Sequence, residues 1–144
     1  MSTSSILIDT GAWYALADAT DRHNAEAREF CGAQAGQREF VTTGLVLAET
    51  WGLIVSRGGR AAALKFWASV RETRTHVATV EPADLEVAWR IINEWSDQDF
   101  SLVDCTTFAV MERLGINDVF AFDSHFLVYR YGRDRQRAFH RLPR

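Results

Sequence analysis

Four acidic residues stand at positions from which their carboxylates could face one pocket. Asp9 and Asp123 each follow a short apolar run of the kind that forms a buried strand. Asp104 falls in the first turn of a segment with helical spacing, and Glu49 is the single charge within a long apolar segment. In a parallel α/β sheet, ligands bind beyond the carboxyl ends of the strands, so Asp9 and Asp123 are candidates for a shared site.

Carboxylates gathered in one pocket repel each other, and proteins usually neutralise this repulsion with a bound divalent cation. Mg²⁺ and Mn²⁺ prefer oxygen ligands, and Mg²⁺ keeps several waters, which leaves room for a phosphate group. The sequence has no His/Cys cluster with the spacing of a zinc site. The chemistry that such acids favour is attack of water on a phosphodiester, with one or two cations that lower the pKa of the water.

Each acid taken singly also has a structural interpretation. Asp9 and Asp123 could be turn or cap residues, and Asp104 could complement the dipole of its helix. Glu49 resists this interpretation, because no Lys or Arg lies within one helical turn of it. If its side chain faces a core, the carboxylate has to be paired, metal-bound or neutral.

Short apolar runs alternate with segments of helical spacing along the whole chain. The predicted strands cover about residues 6–8, 40–42, 76–80, 119–122 and, more weakly, 138–142. The predicted helices cover about residues 11–18, 22–34, 43–58, 60–72, 82–95 and 101–114. This alternation predicts an α/β fold with a mostly parallel central sheet between helices.

Local signals predict where these helices begin and which faces they bury. Ser101-x-x-Asp104 resembles a capping box, Pro82 suits the first position of a helix, and Gly58-Gly59 predicts a stop. Helical spacing predicts two inward faces, one over His23, Ala27 and Phe30 and the other over Leu85, Trp89, Ile92 and Trp95.

Length and composition predict one domain over residues 1–144. The chain has 144 residues, 47% of them hydrophobic, and no linker or repeat divides it. The N-terminus lacks the pattern of a signal peptide, and the longest apolar stretch, residues 44–55, is too short to cross a bilayer. Cys31 and Cys105 are expected to pack as small apolar residues in reduced form. We therefore expect a soluble, cytoplasmic protein with no membrane partner.

The charge is unevenly distributed along the chain. The formal net charge is −3, so no global basic field indicates a polyanion partner. From Leu127 onward, however, the chain contains six Arg residues and only one acidic residue, Asp134. A solvated basic tail and a phosphate-binding surface both fit this pattern. The candidates for contacts with a phosphate backbone are Arg57, Arg60, Arg133, Arg135 and Arg137.

Four blocks of sequence, taken in order, resemble the PIN-domain ribonucleases and, among them, the VapC-type toxins of bacterial toxin–antitoxin pairs. The blocks are Ile8-Asp9-Thr10-Gly11, the segment from Thr42 to Glu49, the segment from Ser101 to Phe108, and the segment from Ala121 to Phe126. Any one of these blocks alone is weak evidence for the resemblance, because an Asp after a strand is common in proteins. All four at these separations, on an alternating α/β pattern, make the resemblance specific over nearly the whole chain.

The resemblance implies a fold, a cofactor and an activity. The fold would be an α/β/α sandwich with a parallel sheet, and an acidic pocket would bind Mg²⁺ or Mn²⁺. The activity would be endoribonuclease cleavage of structured RNA such as tRNA or rRNA, leaving a 5′-phosphate and a 3′-hydroxyl. By match to the family pattern, the catalytic, metal-binding acids would be Asp9, Glu49, Asp104 and Asp123, and the residues that support them Thr10 and Thr107.

Several points stay open within this resemblance. Thr107 could meet a carboxylate, a water or a phosphate, or it could bond back to its own helix. Family members often carry a further acid or a Ser/Thr near the last block. Here Ser124 follows Asp123 without another carboxylate, which leaves the number of ions open. His125, two residues past Asp123, could approach the site, but we favour inward packing of its ring.

The resemblance also implies partners. A small antitoxin would wrap the toxin and place an Arg or Lys in the acidic pocket, and a homodimer could bury surface through the helices that carry Trp residues. The competing interpretation is a catalytically silent PIN-type module that binds RNA or a protein.

Overall fold

The computed structural model describes residues 4–144 and places a five-stranded sheet at the centre of the fold. The strand order is β3-β2-β1-β4-β5, and every neighbouring pair is parallel. The strands are β1 (Ile6–Ile8), β2 (Phe40–Thr43), β3 (His76–Ala78), β4 (Asp118–Phe120) and β5 (His140–Leu142). The predicted parallel sheet is confirmed. Residues 1–3, which belong to the segment interpreted above as lacking a signal-peptide pattern, lie outside the described residues.

Six helices connect the strands within the described part of the chain. They are α1 (Thr10–Ala17), α2 (Asn24–Gln34), α3 (Gly44–Glu72), α4 (Pro82–Glu94), α5 (Leu102–Leu114) and the short α6 (His125–Val128). The predicted stop at Gly58-Gly59 appears as a kink inside α3, where Gly59 has a φ of 85°. Helix α6 was not predicted from the sequence.

The strand β1 shows how the two sides of the sheet are covered. All three of its side chains are buried, and they alternate between two cores. Leu7 belongs to the core with Phe108 of α5, whereas Ile6 and Ile8 belong to the core with Val46 of α3. Helices therefore cover both faces of the sheet, and the α/β/α sandwich is confirmed.

The helix α2 buries the face predicted from its spacing. Ala27 is fully buried, the ring of Phe30 contacts Phe120 of β4, and the imidazole of His23 stacks on Phe122 with centroids 4.3 Å apart. This stacking covers the loop that leaves β4 on one side.

The face predicted for α4 is wrong at two positions. Leu85 is 44% exposed and Trp89 is 64% exposed, whereas Ala88 and Ile91 are buried. The small side chain of Ala88 lets α4 approach α5, and the guanidinium of Arg113 on α5 binds the buried carboxylate of Asp84. These contacts turn the Trp89 side of the helix toward solvent.

The cysteines and the hydrophobic helices agree with a reduced globular chain. Cys31 and Cys105 are free thiols, and burial raises the pKa of the Cys105 thiol to about 12. Over residues 4–144, none of the helices combines the length and the apolar character that a membrane crossing requires.

Candidate metal centre

The sheet brings the ends of β1 and β4 side by side. These strands are parallel neighbours, with Ile8 opposite Phe120. The amide of Asp9 continues the pairing by donating to the carbonyl of Phe120 at 3.0 Å. The strand β4 ends at Phe120, two residues earlier than predicted, so Asp123 lies in the following loop. Both carboxylates consequently lie at the same edge of the sheet.

Asp9 is buried without the contacts of a cap residue. It precedes α1, but its side chain makes no capping hydrogen bond, and the residue is only 2% exposed. Its Oδ1 atom has no hydrogen-bond partner among the described residues. Burial raises the pKa of the Asp9 carboxyl well above its usual value, and the charges of Asp123 and Asp104 raise it further. A carboxylate in this environment needs a proton or a cation.

Asp123 shares this environment at the edge of the pocket. The charges of Asp9 and Asp123 act on each other across the pocket, and the negative charge of Asp123 is one cause of the raised pKa of the Asp9 carboxyl. Burial, and after it the charge of Asp104, raises the pKa of the Asp123 carboxyl. Its Oδ1 atom also accepts a hydrogen bond of 2.9 Å from the amide of His125.

Asp104 caps its helix and also lies at the pocket, where its metal-binding role stays a prediction. It forms the predicted capping box: its Oδ2 atom accepts from the amide of Ser101, and its own amide donates to Oγ of Ser101, both at 3.0 Å. The same Oδ2 atom lies 2.6 Å from Nδ1 of His125. Capping therefore positions this carboxylate at the pocket instead of removing it from the site.

His125 lies beside these carboxylates, and the predicted inward packing of its ring is only partial. Ligand atoms of Asp104, Asp123 and His125 all lie within 4.8 Å of one another. The imidazole is partly exposed, and its edge contacts the ring of Phe100. The only sequence signal was its spacing of two residues after Asp123, which does not by itself distinguish a ligand from a packed ring.

Glu49 is exposed on α3, so the expectation of a buried carboxylate is wrong. Helix α3 turns Val46, Thr50 and Ile54 toward the core at a spacing of four residues, and Glu49 falls outside that face. Within residues 4–144, its carboxylate does not belong to the group of closely spaced ligand atoms. Its metal-binding role remains a prediction.

The hydroxyls of Thr10 and Thr107 are buried and have no hydrogen-bond partner among the described residues. Thr107 does not bond back to its helix, whereas the neighbouring Thr106 does so, donating to the carbonyl of Leu102 at 2.7 Å. Buried polar atoms in proteins are nearly always hydrogen-bonded. Two unpartnered hydroxyls and the unpartnered Oδ1 of Asp9 fit a site completed by a cation with its waters.

The candidate arginines are distributed over other surfaces. The guanidinium groups of Arg57 and Arg60 lie over the rings of Tyr14 and Trp51, at 4.9 and 6.0 Å from the centroids. Arg135 forms an ion pair with Glu94. The other two, Arg133 and Arg137, are exposed. Phosphate binding by any of the five stays a prediction.

A cavity of about 1130 Å³ is separate from the acids. It lies between α1, α2 and the second half of α3, and its walls include Trp13, Cys31 and Phe66. Because its lining is mainly apolar and contains none of the three aspartates, this cavity does not suit a metal-assisted reaction.

Comparison with known proteins agrees with this fold. The family model described as PIN domain matches residues 6–131. The chain is 36% identical over 122 residues to a protein named 23S rRNA-specific endonuclease VapC20, from two Mycobacterium tuberculosis strains; the match covers 84% of this chain and 91% of the relative.

Two solved structures resemble the fold. The crystal structure of M. tuberculosis VapC20, described as a sarcin-ricin loop cleaving toxin, superposes with a TM-score of 0.76 at 34% identity, covering 83% of this chain and 90% of that one. VapBC2 from Rickettsia felis, bound to a promoter DNA fragment, superposes with a TM-score of 0.57 at 10% identity, covering 83% and 99% of the two chains. The second likeness concerns the fold alone.

Proposed function

The chain belongs to the PIN-domain family, and on this premise we propose that it is a Mg²⁺- or Mn²⁺-dependent endoribonuclease, the toxin of a toxin–antitoxin pair. The observation that carries the proposal is the convergence of Asp9, Asp104 and Asp123. Their mutual repulsion and burial leave Asp9 and Asp123 with raised pKa values. Such a site is unfavourable without a counter-charge and favourable with one.

The residues that would hold the cation are Asp9, Asp104 and Asp123, with Glu49 acting directly or through a water. When bound, the cation supplies charge stabilisation for the phosphate and lowers the pKa of a water for attack on phosphorus. The hydroxyls of Thr10 and Thr107 are free to donate to a water or to a phosphate oxygen, because neither has another partner among residues 4–144.

Ribosomal RNA is the substrate class we propose. The relative named as a 23S rRNA-specific endonuclease matches most of this chain, and a solved structure of that relative is described as cleaving the sarcin-ricin loop. Cleavage would leave a 5′-phosphate and a 3′-hydroxyl, as the family resemblance implies. Arg57, Arg60, Arg133, Arg135 and Arg137 would contact the RNA backbone through bidentate hydrogen bonds.

We further propose that residues 1–144 form a single PIN domain. The family match ends at residue 131, but β5 lies beyond it and pairs with β4 at the sheet edge, with Asp118 opposite His140. Arg141 of β5 also bonds the loop that carries Asp123. The C-terminal segment thus contributes to the same sheet and the same site.

Two protein partners follow from the same features. A small antitoxin would insert a basic side chain among the three acids. The positive charge of an Arg or Lys relieves their mutual repulsion, as the charge of a metal ion does. A second copy of the chain would cover the exposed face of α4, where Leu85 and Trp89 lie one helical turn apart. Both partners are proposed by resemblance to the toxins of this family.

A cleavage assay tests the enzyme against the silent RNA-binding module. The purified chain is incubated with 23S rRNA and with tRNA in Mn²⁺ or Mg²⁺, alongside tubes with EDTA and with the Asp9→Asn variant. We expect cleavage that both controls abolish, and sequencing of the new ends identifies the target. Cleavage in every tube indicates a contaminant, and binding without cleavage in any tube supports the silent module.

A further inference from the structure

We propose that His125 is a nitrogen ligand of the cation held by Asp104 and Asp123, and that it biases the site toward first-row transition ions over Mg²⁺. This inference rests on the metal site proposed above and concerns a residue outside the four acids. Its starting point is the grouping of one imidazole nitrogen and two carboxylates within 4.8 Å.

The distance between His125 and Asp104 suits two ligands of one ion. Nδ1 of His125 lies 2.6 Å from Oδ2 of Asp104, yet this nitrogen is buried and is not aligned with any acceptor as a hydrogen bond. Two ligand atoms in adjacent octahedral positions, each about 2.1 Å from the ion, lie roughly 3 Å apart. A shared cation would satisfy both atoms at nearly their present separation.

Contacts on both its backbone and its ring hold His125 at the pocket. Nε2 of His125 lies 3.8 Å from Oδ1 of the exposed Asp99, which is beyond hydrogen-bond distance, whereas Nδ1 faces Asp104. The backbone of His125 is held by its hydrogen bond to Asp123, and its ring edge contacts Phe100 at a centroid distance of 5.4 Å.

A nitrogen ligand changes which ion the site prefers. An all-oxygen set suits Mg²⁺, whereas imidazole binds Mg²⁺ poorly and contributes to the binding of first-row transition ions. Unlike a fourth carboxylate, an imidazole ligand adds no negative charge to a pocket that already holds three aspartates. The loop that follows Asp123 has no further carboxylate directly after it, and His125 in this loop would supply a ligand of a different chemical kind.

Pulsed electron paramagnetic resonance on the Mn²⁺-loaded chain tests this directly. We expect electron-spin-echo modulation from a ¹⁴N nucleus bound to Mn²⁺, which changes to the ¹⁵N pattern when the protein is grown with ¹⁵N-histidine. This readout needs no variant and no RNA cleavage. Bound Mn²⁺ without histidine modulation overturns the proposal and leaves the nuclease function standing, whereas failure to bind any Mn²⁺ overturns both.

A pair of matched variants identifies which of the four histidines is responsible. His125→Phe keeps an aromatic ring against Phe100 and removes the nitrogen. His23→Phe makes the same change in a ring that stacks on Phe122 beside the pocket. We expect His125→Phe to lose the nitrogen modulation and about tenfold in Mn²⁺ affinity, with a smaller loss for Mg²⁺. Retention of the modulation in this variant, or its loss in His23→Phe, overturns the assignment.

Discussion

Nη1 of Arg141 donates a hydrogen bond of 2.8 Å to the backbone carbonyl of Asp123. The same nitrogen donates to the carbonyl of Phe122 at 3.1 Å. Arg141 lies on β5, opposite Val119 of β4, so its side chain can reach past the end of the neighbouring strand. A residue near the C-terminus therefore holds the loop from which Asp123 enters the acidic pocket.

The first prediction concerns this contact. Arg141→Ala removes two hydrogen bonds with a charged donor and releases the Asp123 loop. Each such bond contributes about 1.5–3 kcal/mol to stability. We expect weaker Mn²⁺ binding by roughly tenfold in a calorimetric titration, with partial recovery in Arg141→Lys. The exposed Arg133→Ala serves as the control, and an unchanged affinity in Arg141→Ala contradicts the positioning role.

The second prediction is that the metal-free protein gains stability when Asp9 is neutralised. Asp9→Asn keeps the shape of the side chain, removes a buried charge and provides an amide that can donate to Asp123. At pH 7 without metal, we expect a melting temperature a few degrees higher, since about 1 kcal/mol shifts it by roughly 2–4 °C in a chain of this size. Added Mn²⁺ should stabilise only the wild type. If wild type and Asp9→Asn melt at the same temperature both with and without Mn²⁺, the proposed repulsion between the carboxylates is contradicted.

The third prediction concerns the ion pair between α4 and α5. Arg113 binds Asp84 through two hydrogen bonds of 2.8 Å, and it thereby lowers the pKa of the Asp84 carboxyl below its usual 3.8. A lowered pKa in the folded state means that the stabilisation is complete above the unfolded pKa and is lost as the pH falls below it. We expect Asp84→Asn to cost about 1–3 kcal/mol at pH 7.

Urea denaturation at pH 7 and at pH 3 measures this effect. The difference between wild type and Asp84→Asn should be smaller at pH 3 than at pH 7, because pH 3 lies below the usual carboxyl pKa of 3.8 and the stabilisation declines from there toward the lowered pKa of the folded state. Asp97→Asn alters an exposed carboxyl close in sequence and is the control. A difference that does not depend on pH contradicts the role of the charge.

The fourth prediction concerns self-association through α4. Trp89→Glu places a charge on the exposed face of that helix, and we expect the dimer to dissociate in light scattering at micromolar concentration. Leu64→Glu makes the same kind of change at a residue of α3 that is 49% exposed. A wild-type monomer, or equal dissociation by both variants, excludes this surface as the interface.

The fifth prediction concerns the basic tail and RNA. Replacing Arg133 and Arg137 together by Ala should weaken RNA binding and reduce the slope of log affinity against log salt by about 1–2. Arg135→Ala should have a smaller effect, because that guanidinium already pairs with Glu94. Filter binding at several salt concentrations measures both. An unchanged slope in the double variant indicates a solvated tail without an RNA contact.

Much of this architecture follows from local sequence. Apolar runs and helical spacing predicted all five strands, and Ser101 with Asp104 predicted the start of α5. The proximity of Asp9 and Asp123 followed as well, because the ends of adjacent parallel strands share one edge of the sheet. These features depend on backbone geometry and short-range hydrogen bonds, which a few neighbouring residues determine.

Only the tertiary structure decided which side of a helix faces the core and which distant groups meet. Glu49 and Trp89 lie on regular helices, but packing against other elements sets the rotation of those helices, and it turned both residues toward solvent. His125 and Asp104 are far apart in sequence and lie 2.6 Å apart through space. The sequence by itself determined the elements and most of the acids, whereas the folded chain determined the site, because ligand geometry depends on contacts between residues that are distant along the chain.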